Sequence, residues 1–547
     1  MGIVAGGKIK MARYIVSILI TLWCIFVTIF HIPTYLDYYI NVPQGLAIGL
    51  MLVLILYYLI PRQGSQGIIK WYDLLPLILA LPALVVTGFY YNQIEFYESQ
   101  GVLDGKGIFL AMSLAVALLF AAWRATSPVF SILLLVMMLF VRFQSYLPGL
   151  LQGRGYPFDR LGYSFYVGSE GIYGIPFNIA LTILIMFLIF GELFQLIGGG
   201  EWFLSLASKV LGKTTGVVAK SSVISSFLFG MISGSPASNV AVDGCITIPL
   251  MKRTGYTPEL AGAVEATAST GGQIMPPVMG TIAFIMAEWL SIPYYKICIA
   301  AAIPATLYFV MVFAGVHFEA KRNNRPAIIV DQIATSKSMA KVFGEGWFYV
   351  IPIAVLVGLL IGARLSPDWA GFFTIVATIS ASFFNKDRSK WLYPRRVLRA
   401  IVTALERWLT VAIITSAVGM MIGSLALSGL GVKFSSFILD ITGGNLLLIL
   451  LAVAAGCFVL GCGLDSIPMY IMMTILTAPA LLKVGVPDIA AHLFVIYWGM
   501  TSFITPPVCI ALYVAVGISG GNLWWTGLHA VRLGAGYYIV PFAFVLA

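Results

Sequence analysis

Apolar runs long enough to cross a bilayer follow one another along the chain, with short polar connections between them. A hydrocarbon core of about 30 Å takes roughly 17–25 helical residues. The runs at 12–31, 44–61, 72–90, 107–123, 127–146 and 175–197 meet that length, and the pattern predicts a helix over each. Later runs at 297–318, 346–363, 367–384, 398–429 and 527–547 read the same way. The longest hydrophilic connections, from His317 to Gly346 and from Asn385 to Arg399, are too short to bury an aqueous core. No soluble catalytic or nucleotide-binding domain is therefore expected.

Four apolar stretches are interrupted. Gly271-Gly272-Gln273-Ile274-Met275-Pro276-Pro277-Val278 lies inside the run 259–290, and Thr501-Ser502-Phe503-Ile504-Thr505-Pro506-Pro507-Val508 inside 488–519. Paired prolines each remove a backbone donor and clash with the preceding turn. In lipid the freed carbonyls must face protein or a water-filled cavity. The stretch 223–251 carries a small, polar, helix-breaking centre, Ser233-Gly234-Ser235-Pro236-Ala237-Ser238-Asn239. Its halves, at about 14 residues each, fall short of a span, so it predicts a re-entrant hairpin rather than two crossings. A second hairpin is expected over 445–480, with the tip Gly461-Cys462-Gly463-Leu464-Asp465-Ser466-Ile467-Pro468. Pro249, Gly255, Pro276 and Pro277 recur as Pro479, Gly485, Pro506 and Pro507, each 230 residues on (479−249, 485−255, 506−276, 507−277). Matching broken helices in two halves of a chain point to a transporter's binding site.

Charge supplies the orientation. Only 10% of residues are charged and 60% are hydrophobic, with a mean hydropathy of +0.97; soluble proteins carry about 25% charged residues. The net charge of +10 sits mostly in loops, which reads as membrane topology rather than nucleic-acid affinity. Arg62, Lys70 and Arg124 mark cytoplasmic loops, whereas Glu95, Glu98 and Asp104 mark 91–106 as external. The N-terminus is then cytoplasmic and 147–174 external. Lys8, Lys10 and Arg13 precede an apolar run with no small-x-small cleavage site after it, so a retained first helix is expected. The stretch 223–251 lies between Lys209, Lys213 and Lys220 on one side and Lys252-Arg253 on the other, so it enters and leaves on the cytoplasmic side. Lys321, Arg322, Arg325, Lys337 and Lys341, and then Lys386, Arg388, Lys390, Arg395, Arg396 and Arg399, mark two more cytoplasmic loops. Counting through, the repeats at about 175–318 and 398–547 have opposite polarity, are joined by the helical pair 346–384, and leave the C-terminus periplasmic. The fold class expected is an all-α polytopic membrane protein with inverted repeats, two re-entrant hairpins and two broken helices.

Candidate chemistry centres on the breaks. Helix N-termini and free amides suit a carboxylate, and carbonyls at helix C-termini suit Na⁺. Asp243, Glu265 and Asp465 lie within apolar segments, where a central acid costs about 2.5–3.5 kcal/mol on insertion scales and asks for a role. Other chemistries find little support. Gly212-Lys213-Thr214-Thr215 looks like the end of a P-loop, but Ala207 stands where its first glycine belongs. There is no H-E-x-x-H or G-x-S-x-G motif, so no enzyme is expected. The six cysteines lie in apolar segments without C-x-x-C spacing, and the four histidines are scattered; no cofactor is expected. Trp347, Trp524 and Trp525 suit interface anchoring.

The stretches Glu170-Gly171-Ile172-Tyr173-Gly174-Ile175-Pro176, Gly230-Met231-Ile232-Ser233-Gly234-Ser235 and Ile248 through Tyr256 carry a family resemblance, as do Ala261 through Glu265-Ala266, on to Pro277-Val278-Met279-Gly280, and Ala491-His492-Leu493-Phe494. They resemble the large membrane subunit of tripartite ATP-independent periplasmic (TRAP) transporters, and within it the TAXI branch, whose small and large membrane subunits are fused. The resemblance covers about 155–547; 1–154 resembles the small subunit only as helices preceding the large one. It implies an elevator-type transporter with a scaffold formed partly by 1–154 and 346–384. It also implies a periplasmic substrate-binding protein of TAXI type, and ion-coupled uptake of a small organic acid across a bacterial inner membrane without ATP. The substrate-binding residues it implies, with the tip chemistry above, are Gly234, Ser235, Ser238, Asn239, Pro276, Gly463, Asp465, Ser466 and Pro506. The ion-coupling residues, for Na⁺ at the hairpin tips or for H⁺, are Ser233, Asp243, Glu265, Ser269, Thr270, Gly271, Gly272, Asp465, Gly499, Thr501 and Ser502. Asp243 and Asp465 depart from what the TAXI branch leads one to expect, and leave the ion open between Na⁺ and H⁺. The rival reading is a stand-alone elevator-type anion symporter without a binding protein.

Overall fold

A computed structural model describes residues 2–4, 7–30, 41–60, 68–70, 74–126, 128–212, 214–233, 235–323, 339–461, 464–506 and 509–546. The chain is an all-α polytopic membrane protein. Among the described residues the one small departure is a two-stranded antiparallel ladder, Gly2–Val4 against Ile68–Lys70, with Ile3 opposite Ile69. Among the described residues nine helices are long and apolar enough to cross a membrane. Val42–Leu59, Gly105–Ala125, Pro128–Tyr146, Ile175–Leu196, Tyr294–Arg322 and Pro394–Ser428 fall where the apolar runs predict them.

Helices lie where the hydropathy pattern predicts loops: Met339–Gly346, Leu430–Thr442 and the three that follow. Leu75–Phe89 turns by 88° into Tyr91–Gln100, within the expected loop 91–106. That helix is polar except on one face, where Ile94 and Tyr97 are buried. Three-residue spacing puts both side chains on the same side of a helix. The Tyr97 hydroxyl donates to Asp104 Oδ1 at 2.8 Å, and the Gly107 amide donates to the same oxygen at 2.7 Å, capping Gly105–Ala125. The amide first, and then the phenol, hold the Asp104 carboxyl below the usual carboxylate range. Phe158–Tyr166 lies in the expected external loop and buries Leu161 and Phe165, four residues apart. Gly199–Leu211, between the expected crossing 175–197 and the expected hairpin 223–251, buries Trp202, Phe203 and Ala207. All three, at 10, 9 and 13 residues, are too short to cross a bilayer alone.

The chain forms two compact units. The first comprises 1–189, 394–441 and 475–479. Its axis is Pro394–Ser428, which packs against Gly105–Ala125, Pro128–Phe143 and Phe158–Tyr166. Trp408, fully buried, donates its indole N–H to the Ala180 carbonyl at 2.7 Å. Ala180 opens a π-helical turn, Ala180–Leu184, and a wider turn changes how carbonyls are satisfied along a helix. The indole thus fills a polar need inside an apolar layer.

The second unit comprises 190–393, 442–474 and 480–547. The first hairpin is Val217–Ser233 and Pro236–Arg253, followed by the broken helix Pro258–Gly271 and Thr281–Trp289. The second hairpin is Leu446–Gly461 and Ser466–Lys483, the latter with 475–479 assigned to the first unit, followed by Asp488–Thr501 and Ile510–Ser519. Adding 230 to 236, 253, 258 and 271 gives 466, 483, 488 and 501, so both ends of the second arm and of the first half-helix coincide. The intervening turns also coincide. Gly255 and Gly485 take φ 90° and 87°, a left-handed conformation that favours glycine. The bonds Thr254 N to Met251 O, Gly255 N to Lys252 O and Tyr256 N to Met251 O recur as Val484 N to Leu481 O, Gly485 N to Leu482 O and Val486 N to Leu481 O. Two copies of one backbone are therefore present.

The first hairpin departs from expectation in three details. Its arms have 17 and 18 residues rather than about 14. Lys220 looked like a boundary but is buried inside the first arm, its ammonium 5.6 Å from the centre of the Phe313 ring. The breaking centre is also shorter than 233–239. Ser235 is the N-cap and Pro236 the first helical residue, a position that tolerates proline because its amide would have no intrahelical partner. Ala237, Ser238 and Asn239 thus belong to the first turn of the second arm.

The Trp408 contact predicts a graded loss of stability in detergent-solubilised protein. Trp408→Ala should cost about 3–5 kcal/mol through the cavity it leaves. Trp408→Phe should cost about 1–3 kcal/mol, chiefly by orphaning the Ala180 carbonyl. Thermal unfolding followed by tryptophan fluorescence or light scattering would read the order; equal midpoints for the two variants would contradict it.

Candidate functional site

The first site grows from the packing of the first hairpin on the first half of its broken helix. Gly230 and Gly272 meet backbone to backbone: a methyl group on Gly230 would stand 2.7 Å from Gly272 Cα and 2.8 Å from Asn239 Nδ2. That approach admits only glycine at either position. It brings Asn239 Nδ2 to the Ser226 carbonyl at 2.9 Å, tying the two arms together next to the tip. Asn239 is fully buried, and its Oδ1 has no hydrogen-bond partner among the described residues.

Behind the tip lies a buried polar cluster. Glu265 accepts from Ser226 Oγ at 2.7 Å, Ser269 Oγ at 3.0 Å and Thr247 Oγ1 at 2.6 Å. Asp243 accepts from Ser225 Oγ at 3.1 Å, and its carbonyl takes the Thr247 hydroxyl at 3.0 Å. Both carboxyl groups are buried. The donors come from both hairpin arms and the broken helix, so all three elements share one polar core. Hydroxyls satisfy a carboxylate, and equally accept from a protonated acid. Asp243 lies eight residues beyond Ser235 along its helix, about 12 Å at 1.5 Å per residue. The carboxyl cluster is therefore set back from the tip.

At the break itself, Ser269 donates to Glu265 while Thr270 Oγ1 donates to the Ala266 carbonyl at 2.7 Å. Two tyrosines from later helices reach the carbonyls there: Tyr308 OH to Thr267 O and Tyr537 OH to Thr270 O, both at 2.8 Å. Protein donors thus meet part of the demand that a broken helix creates away from water. Gln273 is buried beside Gly280 in the turn after the helix. Pro276 is half-buried at the break.

The second site shares the backbone and changes the chemistry. Asp465 stands where Ser235 stands (235 + 230) and caps the second arm, accepting from the Ser466 amide at 2.7 Å. Ser466 is buried in the first turn. Gly461 closes on Ser502 and on the Gly499 carbonyl, and Met469 fills the place of Asn239 (239 + 230) against Gly499. The hydroxyls at this break turn back on the preceding turn: Thr501 Oγ1 to Trp498 O at 2.6 Å, Ser502 Oγ to Gly499 O at 2.7 Å and Thr505 Oγ1 to Thr501 O at 2.6 Å. Each hydroxyl oxygen keeps lone pairs that a small cation can use. Met473 and Val495 replace Asp243 and Glu265 (243 + 230, 265 + 230), so the carboxyl cluster belongs to the first repeat alone. Pro506 is half-buried, packed where a side chain on Gly527 would stand.

Of the residues the sequence nominates, Asn239, Glu265, Ser269 and Gly272 come together in the first site, with Asp243 alongside. Ser235 and Ser238 meet at the cap, where the hydroxyl accepts from the Ser238 amide at 3.5 Å. Gly499 and Ser502 gather at the second break, with Thr501 and Asp465 near it along the chain. Ser233 ends the first arm; Gly234 and Gly463 lie outside the described residues, as does Pro507. Sequence reasoning missed Ser225, Ser226 and Thr247. Their spacing was the available signal: Ser226 lies four residues before Gly230, and Thr247 four residues after Asp243. It also missed the buried pair Tyr470 and His492, whose hydroxyl and Nδ1 are 2.7 Å apart between the second arm and its broken helix.

Comparison with known proteins gives one consistent picture. The family profile described as "Tripartite ATP-independent periplasmic transporter, DctM component" matches residues 105–547, beginning some 50 residues before the expected 155. The chain is 23% identical over 359 residues to the isethionate TRAP transporter permease protein DctMQ of Oleidesulfovibrio alaskensis, covering 65% of this chain and 54% of that protein. It thus spans about half the length of that relative. It is 22% identical over 370 residues to the sialic acid TRAP transporter large permease protein SiaM of Vibrio cholerae, covering 68% and 83%. It is 21% identical over 334 residues to the C4-dicarboxylate TRAP transporter large permease protein DctM of Pseudomonas aeruginosa, covering 61% and 76%.

The glycine contact predicts a sharp steric threshold. Gly272→Ala would place a methyl 2.5 Å from Gly230 Cα, and should lower solute flux by about tenfold or more, as expected of a misplacement at a site's frame. Gly517→Ala, with open space around it, should leave flux unchanged. Uptake by membranes matched for protein content checks both, and equal rates in the two variants would refute the contact's importance.

Proposed function

We propose a function from the premise that this chain belongs to the tripartite ATP-independent periplasmic transporter family, as a DctM component. It imports a small organic acid anion, delivered by a periplasmic substrate-binding protein of TAXI type, across a bacterial inner membrane. An ion gradient rather than ATP drives the movement. The single observation that carries the reading is the duplicated hairpin and broken helix, identical in backbone register over 236–271 and 466–501. Such paired discontinuous helices are where secondary transporters hold substrate and ion. Three of the relatives are named for isethionate, sialic acid and C4-dicarboxylates, all of them acids, which supports an anion here.

In this proposal the substrate carboxylate meets the starts of the second arms, at Gly234, Ser235, Ser238 and Asn239 in one repeat and Gly463, Asp465 and Ser466 in the other, with Pro276 and Pro506 shaping the breaks. Aligned amides and partial positive charge at a helix N-terminus favour an anion. The coupling cation is Na⁺ or H⁺, and the two repeats suit different ones. Hydroxyls and carbonyls around Gly499, Thr501 and Ser502 offer the oxygen ligands Na⁺ takes. The paired acids Asp243 and Glu265, wrapped in hydroxyls, are a place to carry a proton. Residues 1–154 act as a fused small-subunit-like scaffold, the repeats lie in opposite orientation, and the hairpin-bearing part moves as an elevator. The N-terminus is cytoplasmic and the C-terminus periplasmic.

Reconstituted uptake tests this directly. Proteoliposomes given the partner binding protein and a labelled organic acid should accumulate it under an imposed Na⁺ or pH gradient, without ATP. Accumulation that needs ATP, or that continues with every ion gradient collapsed, refutes the reading. Equal uptake without the binding protein would convert it to a stand-alone symporter. Glu265→Gln keeps the side chain's size but cannot hold the same proton. It should reduce uptake driven by a pH gradient about tenfold or more, equivalent to about 1.4 kcal/mol of barrier. An unchanged pH-driven rate would remove the proton role from that cluster.

A further inference from the structure

A polar cavity of about 420 Å³ lies within the second unit, away from both breaks. Its walls are the start of Gly199–Leu211, the stretch 342–349 and the loop 385–390. Hydrogen bonds brace these walls. Trp202 Nε1 donates to the Val342 carbonyl at 3.2 Å, Tyr349 OH to the Ile197 carbonyl at 2.6 Å and Trp391 Nε1 to the Asn385 carbonyl at 2.8 Å. The Trp202 and Tyr349 rings pack at 5.3 Å. A site so braced is formed before any ligand arrives, which limits the ordering cost of binding.

Charge of both signs lines the cavity: Glu201, Glu345 and Asp387 with Lys386 and Lys390. Lys390 Nζ and Glu201 Oε2 lie 3.3 Å apart across it. Neither a simple anion nor a simple cation matches that set; a zwitterion does. Beside the cavity, the Trp347 and Phe384 rings meet at 5.5 Å, tilted by 53°, with 45% and 58% of their surfaces exposed, and Tyr393 is 48% exposed. Exposed aromatic rings grouped in this way sit at the level of lipid headgroups. The cavity therefore opens where phosphodiesters and amines are concentrated.

We infer that this cavity binds the headgroup of phosphatidylethanolamine, with Lys386 and Lys390 on the phosphate and Glu201, Glu345 and Asp387 on the primary ammonium. Lysine is a point donor to phosphate. A primary ammonium offers three N–H donors to carboxylates, which a choline headgroup lacks and a glycerol headgroup replaces with neutral hydroxyls. The size is right for a headgroup, since ligand pockets begin at about 300 Å³. Nothing in this assignment depends on the transported solute or on the coupling ion.

Photo-crosslinking tests it. The full chain, stripped of co-purified lipid, is placed in phosphatidylglycerol nanodiscs doped with a headgroup-proximal diazirine analogue of phosphatidylethanolamine, phosphatidylcholine or phosphatidylglycerol. The ethanolamine analogue should label peptides covering 198–205, 342–349 or 385–390 about tenfold more than either other analogue, the worth of one charge-assisted contact. Lys386→Gln with Lys390→Gln should remove that excess. Soluble glycerophosphoethanolamine should compete and inorganic phosphate should not. If the double variant unfolds, Ser205→Trp, which obstructs the cavity from a half-buried position, takes its place. Equal labelling by the three headgroups, an excess that survives the variants, or competition by inorganic phosphate as strong as by glycerophosphoethanolamine would each overturn the assignment, the last giving the cavity to free phosphate instead.

Discussion

A backbone that stops being helical inside an apolar medium must satisfy its polar groups from within the protein. Much of the second unit answers that constraint. Each broken helix ends in a tight turn whose amides bond back to the preceding carbonyls, and side chains cover what the turn leaves. At the first break Tyr308 and Tyr537 reach in from elsewhere in the unit. At the second, Thr501, Ser502 and Thr505 serve the preceding turn from within the same segment. The need that forces these arrangements also leaves oxygen atoms gathered at one point, which is what an ion site requires.

Duplication fixed the backbone and left the polar interior free to diverge. The turn at Gly255 and the turn at Gly485 agree bond for bond, yet the cores beside them share little. One has Asp243 and Glu265 under a canopy of hydroxyls; the other has Met473 and Val495, with a Tyr470–His492 pair nearby. Each repeat therefore has a buried titratable cluster between its second arm and its broken helix, built from different residues at different depths. A scaffold that sets where a group can stand does not set what the group is.

The sequence showed the fold wherever one strong term dominated. Long apolar runs gave the crossings, and double prolines with a constant offset gave the repeats. It failed where two weak terms competed. Tyr91–Gln100 and Phe158–Tyr166 bury only two and four residues on an otherwise polar surface, so their mean hydropathy did not rise above that of the surrounding loops. Lys220 misled for the opposite reason: a lysine usually marks a water-facing boundary, and here the residue is buried with its ammonium over the Phe313 ring. Within the site, the residues with evident chemistry, Asp243, Glu265 and Asn239, stood out, whereas the serines and threonine that hold them did not. Small hydroxyls occur throughout membrane helices as packing residues, and only the fold shows which of them face a carboxylate.

The contact between Gly230 and Gly272 has a mechanical consequence. Side-chain contacts can slide, because rotamers exchange and gaps refill. Two backbones in direct touch have nothing to exchange. The first hairpin and the first half of its broken helix are in effect welded at that point, with the Ser226 and Thr247 bonds to Glu265 as a second fastening. Any motion that exposes the site to one side of the membrane or the other has to carry hairpin and half-helix together, and the hinge that permits it has to lie beyond the weld.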